Sequence, residues 1–117
     1  MQAVKSALIY ATRDPDARVR QEAVTALGRL TLSGSGPSEV TIRLREIARS
    51  DRSLFVRGAA LGSDIRLEKN AALPLAKQLM AQDVWQNVIR TPALNALKTV
   101  DTPEARELLQ QYTPPSQ

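Results

Sequence analysis

Apolar side chains recur along this chain at steps of three and four residues. Between positions 14 and 30 they fall at Val19, Ala23, Ala26 or Leu27, and Leu30, which is one face of a helix. The alternation expected of a half-buried strand is nowhere sustained. The same spacing returns from Asp51 to Leu67 and again from Asp83 to Val100. Ahead of each of these segments lies a second amphipathic stretch, first Gln2 to Thr12, then Ser38 to Ser50, then Ala71 to Gln82. The pattern therefore predicts three helical hairpins in tandem. Asp101-Thr102-Pro103 opens a short seventh helix that ends near Tyr112, and Thr113 to Gln117, with two prolines, reads as a frayed tail.

The three hairpins are copies of one unit. Sliding the chain along itself aligns Val19 with Val56 and Ile89, Arg20 with Arg57 and Arg90, and Ala23 with Ala60 and Ala93. Val24, Leu61 and Leu94 form the next column, and Leu30, Leu67 and Val100 close the unit. The period is 37 residues from Arg20 to Arg57 and 33 from Arg57 to Arg90. Small side chains at the alanine column let neighbouring helices approach, while each buried Leu or Val beside them stabilises the stack by about 1.5–3 kcal/mol. One hairpin cannot bury both flanks of its apolar stripe, but stacking hides a continuous core and leaves only the end faces to be capped. The helix from Pro103 to Tyr112 is expected to cap one of them.

Local signals agree with these boundaries. Asp14-Pro15-Asp16 supplies an N-cap and a proline suited to a first turn, Ser33-Gly34-Ser35-Gly36-Pro37 forms a flexible connection, and Asn70 is placed to cap the fifth helix. Pro92 is expected to kink the sixth helix by removing a bond to the carbonyl of Val88. Phe55 and Trp85 precede equivalent helices and are expected to fill gaps between layers. Residues 1–112 thus read as one α-solenoid domain, with 113–117 outside it.

Composition narrows the chemistry. The chain has no cysteine and no histidine, so thiolate and imidazole metal sites, disulfides and Ser-His or Cys-His nucleophile pairs are all excluded. Its six Asp and six Glu are scattered through charge-balanced helices without a paired arrangement for acid–base work, so no catalytic residue, cofactor or metal is assigned. No stretch approaches the roughly 20 apolar residues of a membrane helix. The net charge is +4, with arginine supplying 12 of 16 basic residues, and four aromatic residues are too few for a base-stacking platform. Nothing in the chain indicates a compartment.

The repeated unit, an Asp, four or five variable positions, Val-Arg and then Ala within a Leu-rich helix, resembles the HEAT repeat over nearly the whole chain. More narrowly, SDRSLFVRGAALGSDIRL, ALPLAKQLMAQDVWQNVIRTPALNAL and DTPEARELLQQY look like the C-terminal helical region of zinc aminopeptidases of the aminopeptidase N type. That resemblance implies a non-catalytic solenoid that packs on a catalytic domain and helps enclose its substrate chamber. The family's His-Glu-x-x-His motif has no counterpart here, so no catalytic residue carries over. The partner expected is accordingly a protein, either such a catalytic domain or, as the alternative, the target of a stand-alone HEAT-repeat interaction module.

Two sets of polar residues stand out against this background. Asp14 and Arg20, Asp51 and Arg57, and Asp83 and Arg90 recur with the repeat, which predicts a structural ladder of carboxylates and guanidiniums within or between units. Asp64 breaks the pattern, standing in the column of Leu27 and Leu97, where a carboxylate must be paired or turned to water; a contact to a partner domain is its functional alternative. Arg43, Arg45, Arg49 and Arg52 form the densest basic patch, with Arg45, Arg49 and Arg52 at i, i+4 and i+7 on one helical face. A nucleic-acid backbone is the third-ranked partner for that face, after the two protein readings.

Overall fold

The computed structural model describes residues 2–30, 39–82 and 88–112. Among these residues seven α-helices appear in order: α1 (Gln2–Ala11), α2 (Ala17–Leu27), α3 (Glu39–Ser50), α4 (Leu54–Glu68), α5 (Leu73–Ala81), α6 (Arg90–Leu97) and α7 (Pro103–Tyr112), with a 3-10 turn at Lys69–Ala72 leading into α5. No strand occurs among the described residues, and no helix among them is long and apolar enough to cross a membrane. The long axis of the molecule is 47 Å against 31 and 21 Å for the others.

The second helices of the hairpins, α2, α4 and α6, lie side by side as one layer, with α4 in the middle touching both neighbours and also α3 across the hairpin. Helix α1 pairs with α2, and α7 packs over α5 and α6. This is an all-α solenoid of stacked hairpins closed at one end by a terminal helix. Its core is continuous from Ile9 through Val24, Leu27, Leu44, Leu61, Ile65 and Met80 to Leu97 and Leu108.

The repeat columns take their places unequally. Ala23, Ala60 and Ala93 are all buried, as are Val56 and Ile89, but Val19 is 37 % exposed. The inward stripe of α2 is Arg20, Ala23, Val24 and Leu27, one step round the helix from Val19. Because α4 has neighbours on three sides, its equivalent residue Val56 is covered, whereas α2 packs mainly on α1 and α4 and leaves Val19 uncovered. Phe55, expected between layers, is 63 % exposed for a related reason: it sits on the outer flank of α4, off the stripe that faces α3.

Three local expectations also change. Asp16, not Asp14, caps α2, its carboxylate accepting the Arg18 amide at 2.8 Å, while Asp14 accepts the Asp16 amide at 2.8 Å and Pro15 stays outside the helix. Asn70 does not cap α5, which starts at Leu73 from an Ala72 cap without a side-chain bond; instead the Asn70 amide donates to Glu104 at 3.1 Å and accepts from the Thr102 hydroxyl at 2.7 Å, tying the 3-10 turn to α7. Pro92 does not kink α6, because the helix begins at Arg90 and the proline falls in its first turn, where no amide donor is needed. Trp85 and the 113–117 tail lie outside the described residues.

What the repeat alignment did not anticipate is how close the layer is packed around α4. A Cβ on Gly58 would stand 2.8 Å from both Pro92 Cγ and the Val88 carbonyl, and one on Gly62 would stand 3.2 Å from the Pro92 carbonyl oxygen. Two glycines one turn apart thus form the seat for the start of α6. On the other flank Ser63 donates its hydroxyl to the Val24 carbonyl at 2.7 Å, and Gly28 at the end of α2 leaves room for that serine.

Gly58→Ala is therefore expected to lower stability by about 1–3 kcal/mol through overpacking, although alanine is intrinsically the better helix former by about 1 kcal/mol. Thermal or urea unfolding measures it, and a gain in stability would mean that α6 does not seat there. Lys69, at φ 52°, is the only non-glycine residue of positive φ among those described. Lys69→Gly should raise stability by roughly 1 kcal/mol in the same assay, since glycine occupies that region without steric cost.

Candidate functional site

The ends of the hairpins where α1 meets α2 and α3 meets α4 gather most of the residues singled out in the sequence. Arg20 points from the first turn of α2 toward the next unit, where its Nε and Nη2 donate to the two carboxylate oxygens of Asp51 at 3.0 and 3.1 Å. Nη1 of the same side chain donates to the carbonyls of Asp14 and Pro15 at 2.9 and 3.0 Å. The hydrogen bonds to Asp51 hold the Arg20 pKa above its ordinary value; lost solvation, the next-largest effect, opposes this, and the charges of Asp51, Asp14 and Asp16 reinforce the rise. Asp51 also accepts the Ser53 amide at 2.9 Å, and Ser53 in turn caps α4. One carboxylate thereby joins unit one to unit two and sets the start of the central helix.

The other two repeated arginines work within their own hairpins. Arg57 Nε donates to the Ala48 carbonyl at 2.9 Å and Arg90 Nε to the Met80 carbonyl at 2.7 Å, each reaching the last turn of the preceding helix, where carbonyls lack helical partners. The Arg90 guanidinium also lies 5.0 Å from the centre of the Tyr112 ring, a cation–π contact that draws α7 in. Asp14 does not meet Arg20 through its side chain, nor Asp51 Arg57; Asp83 lies outside the described residues.

Asp64 occupies the leucine column after all. It is 0 % exposed, and Arg45 Nε reaches its two oxygens at 3.1 and 3.3 Å from α3 while Nη2 leans on the Ala71 carbonyl at 3.5 Å. Burial raises the Asp64 pKa, and the hydrogen bond and charge of Arg45 offset this only partly; Glu68 pushes in the same upward direction and Arg49 against it. This contact divides the basic patch of α3. Arg45 is turned inward, Arg49 is exposed near Asp64, and Arg43 swings to the other side, donating to the Thr12 hydroxyl at 3.0 Å.

Arg52 and Arg43 share a hollow with Arg13, which lies in the turn after α1, outside every aligned column. Together with Asp14, Arg20, Ile47, Ser50 and Asp51 they line a polar hollow of about 250 Å³ at the junction of the first two units. A second, largely apolar groove of about 380 Å³ opens on the outer side of the α2–α4–α6 layer, lined by Phe55, Ala59, Val88 and Pro92 with Gln21, Thr91 and Asn95. It adjoins a hollow along α2 that carries Arg18, Arg29 and a single acid, Glu22. No group of three or more acidic residues that could hold a metal ion occurs among the described residues.

A family model of HEAT repeats matches residues 1–63, which include the Arg20–Asp51 link and the first four helices up to Ser63. No curated protein matches the chain, and no solved structure does.

Arg20→Ala is expected to cost about 3 kcal/mol, because it leaves Asp51 without its bidentate partner, and Arg20→Lys should recover little of it. Chemical denaturation of the two variants decides the matter; equal stability of lysine and wild type would rule out the planar contact.

For the Arg45–Asp64 pair the costs should be unequal. Arg45→Leu strands a buried carboxylate and should lose about 3–5 kcal/mol, whereas Asp64→Leu loses less, since the Arg45 side chain is 23 % exposed and can turn to water. The pH dependence follows from the raised folded pKa. The native state holds the Asp64 proton more tightly than the unfolded chain, whose carboxyl titrates near 3.8, so the ionised group weakens the fold at neutral pH and this is relieved on acidification. Wild type should gain stability relative to Asp64→Leu as the pH falls from neutrality toward 4, opposite to a carboxylate whose pKa is lowered by pairing. A difference that shrinks with acidification would contradict the assignment.

Proposed function

The chain belongs to the HEAT-repeat family, and we propose that it acts as a non-catalytic scaffold that docks another protein on the outer face of its α2–α4–α6 layer. The observation that carries this reading is Phe55, a large aromatic side chain that is 63 % exposed and lines an open, largely apolar groove. An exposed aromatic in a concave setting is what a binding anchor requires. The flanking charge, Arg18 and Arg29 against Glu22, favours a partner segment that carries acidic residues beside an apolar side chain. Residues 1–112 are proposed to act as one domain in this role.

A nucleic-acid ligand is a weaker reading of the basic residues. Of the three arginines expected to share a face, Arg45 is held by Asp64, which leaves no continuous row to follow a phosphate backbone. A narrower form of the scaffold reading makes this chain the C-terminal accessory domain of an aminopeptidase N-like metallopeptidase. It rests on the resemblance of residues 50–67, 72–97 and 101–112 alone. A His-Glu-x-x-His domain upstream in the same reading frame would establish it, and any other neighbour would remove it.

The docking face is tested by photo-cross-linking in the native host. Benzoylphenylalanine in place of Phe55 should give a discrete protein adduct absent when the same group replaces Gln78, which is exposed on α5. Equal labelling from both positions, or none, would refute docking at this groove.

A further inference from the structure

The polar hollow between the first two units contains more positive charge than the fold uses. Its lining brings four guanidiniums, Arg13, Arg20, Arg43 and Arg52, against two carboxylates, Asp14 and Asp51, a net +2. The Arg20–Asp51 pair is closed on itself, with Asp51 additionally accepting the Ser53 amide. Asp14 is engaged by the Asp16 amide. What remains facing the opening is Arg13, Arg43 and Arg52. Arg13 and Arg52 are both exposed and make no ion pair or side-chain hydrogen bond among the described residues. Arg43 is fixed by Thr12, its Nε donating to the hydroxyl at 3.0 Å and its Nη2 to the carbonyl at 3.4 Å, while Nη1 meets Glu46 at 3.8 Å, an acid that is itself 58 % exposed and not part of the lining.

These three cations come from different elements: the turn after α1, helix α3, and the turn before α4. All three line the one hollow and do not follow one another along a single helix. A row suits a polyanion, whereas a set gathered around a closed floor suits a single compact oxyanion. The excess of +2 matches a phosphoryl group, which carries about −1.5 to −2 at neutral pH and offers three acceptor oxygens to forked donors. Ser50 lines the same hollow with its hydroxyl proton committed to the Glu46 carbonyl at 2.8 Å, so it adds no competing donor and no charge. A carboxylate, with one charge and two oxygens, would leave about half of the excess uncompensated.

We propose that Arg13, Arg43 and Arg52 form a binding site for a phosphorylated side chain on a protein segment. This rests on the scaffold reading, since it makes the partner a protein, but it uses a surface separate from the Phe55 groove. Binding at the hollow would bridge the first two hairpins beside the Arg20–Asp51 link and stabilise their stacking.

The test is a chemical-shift titration of the full chain, following arginine Nε–H signals, with three probes: a short alanine–glycine peptide carrying one phosphoserine, the same peptide with unmodified serine, and inorganic phosphate. The phosphopeptide should move the signals of Arg13, Arg43 and Arg52 and bind at least about tenfold more tightly than the unmodified peptide, since charge-assisted contacts are worth more than about 1.4 kcal/mol together. The double variant Arg13→Ala/Arg52→Ala, whose residues are exposed and outside the core, should fold normally and lose that preference. Binding should also weaken below pH 6 as the phosphoryl group gains a proton.

The proposal is overturned by equal binding of the two peptides, by a preference that survives in the double variant, or by inorganic phosphate binding as tightly as the phosphopeptide. A single-stranded RNA that competes more strongly at equal ionic strength would overturn it in favour of a nucleic-acid ligand. None of these outcomes affects cross-linking from position 55, so this proposal and the docking reading fail separately.

Discussion

Close approach of α2 and α6 to α4 is the constraint on which the other contacts of this stack depend. Helix α4 is nearly surrounded, and its sides are built from residues small enough to allow that: Gly58 and Gly62 toward α6, Ser63 toward α2, and Ala60 between them. The short distance to α2 brings the Ser63 hydroxyl onto the Val24 carbonyl and leaves Arg20 within reach of Asp51. Larger side chains at these places would push the layers apart, and a bidentate contact of 3 Å has no tolerance for such a shift. Packing and electrostatics are thus coupled at the junction of the first two units.

The buried Asp64 illustrates the opposite arrangement, a polar residue inserted where apolar packing would serve. Its column holds Leu27 and Leu97 in the neighbouring units, both buried, so a leucine would fit the repeat. The carboxylate instead draws Arg45 off the surface of α3, and that guanidinium leans on the Ala71 carbonyl in the 3-10 turn. One charged pair therefore links α3, α4 and the entry to α5. Pairs of this kind add little net stability over an apolar substitute but disfavour misregistered packing, since any other register leaves the carboxylate alone.

Much of the architecture was legible in the sequence because helical stacking imposes a period. The tandem hairpins, the alanine column and the closing helix all follow from apolar spacing, which depends only on the geometry of a helix against a neighbour. Residues whose surroundings depend on position within the stack were not legible. Val19 and Val56 share a column, but only the latter sits on a helix enclosed on three sides. Pro92 falls in the first turn of α6 and Phe55 on an open flank of α4, and apolar spacing marks neither where a helix starts nor which flank is open. At the candidate site, Arg20 and Asp51 could be singled out by recurrence, but their pairing across units could not. Arg13 gave no signal, lying in a turn outside every aligned column.

All three repeated arginines donate to backbone carbonyls, and Arg20 in addition grips a carboxylate of the next unit. Arg57 and Arg90 clamp their hairpins through the carbonyls of Ala48 and Met80. Every amino acid supplies such an oxygen, so the identity of the residue there is free to change without loss of the clamp. The link from Arg20 to the second unit has no such latitude, because it requires a carboxylate at one position. Mutational drift would therefore spare the individual hairpins and reach first the joint between them, making the seam between neighbouring units the place where descendants of this chain would diverge in curvature.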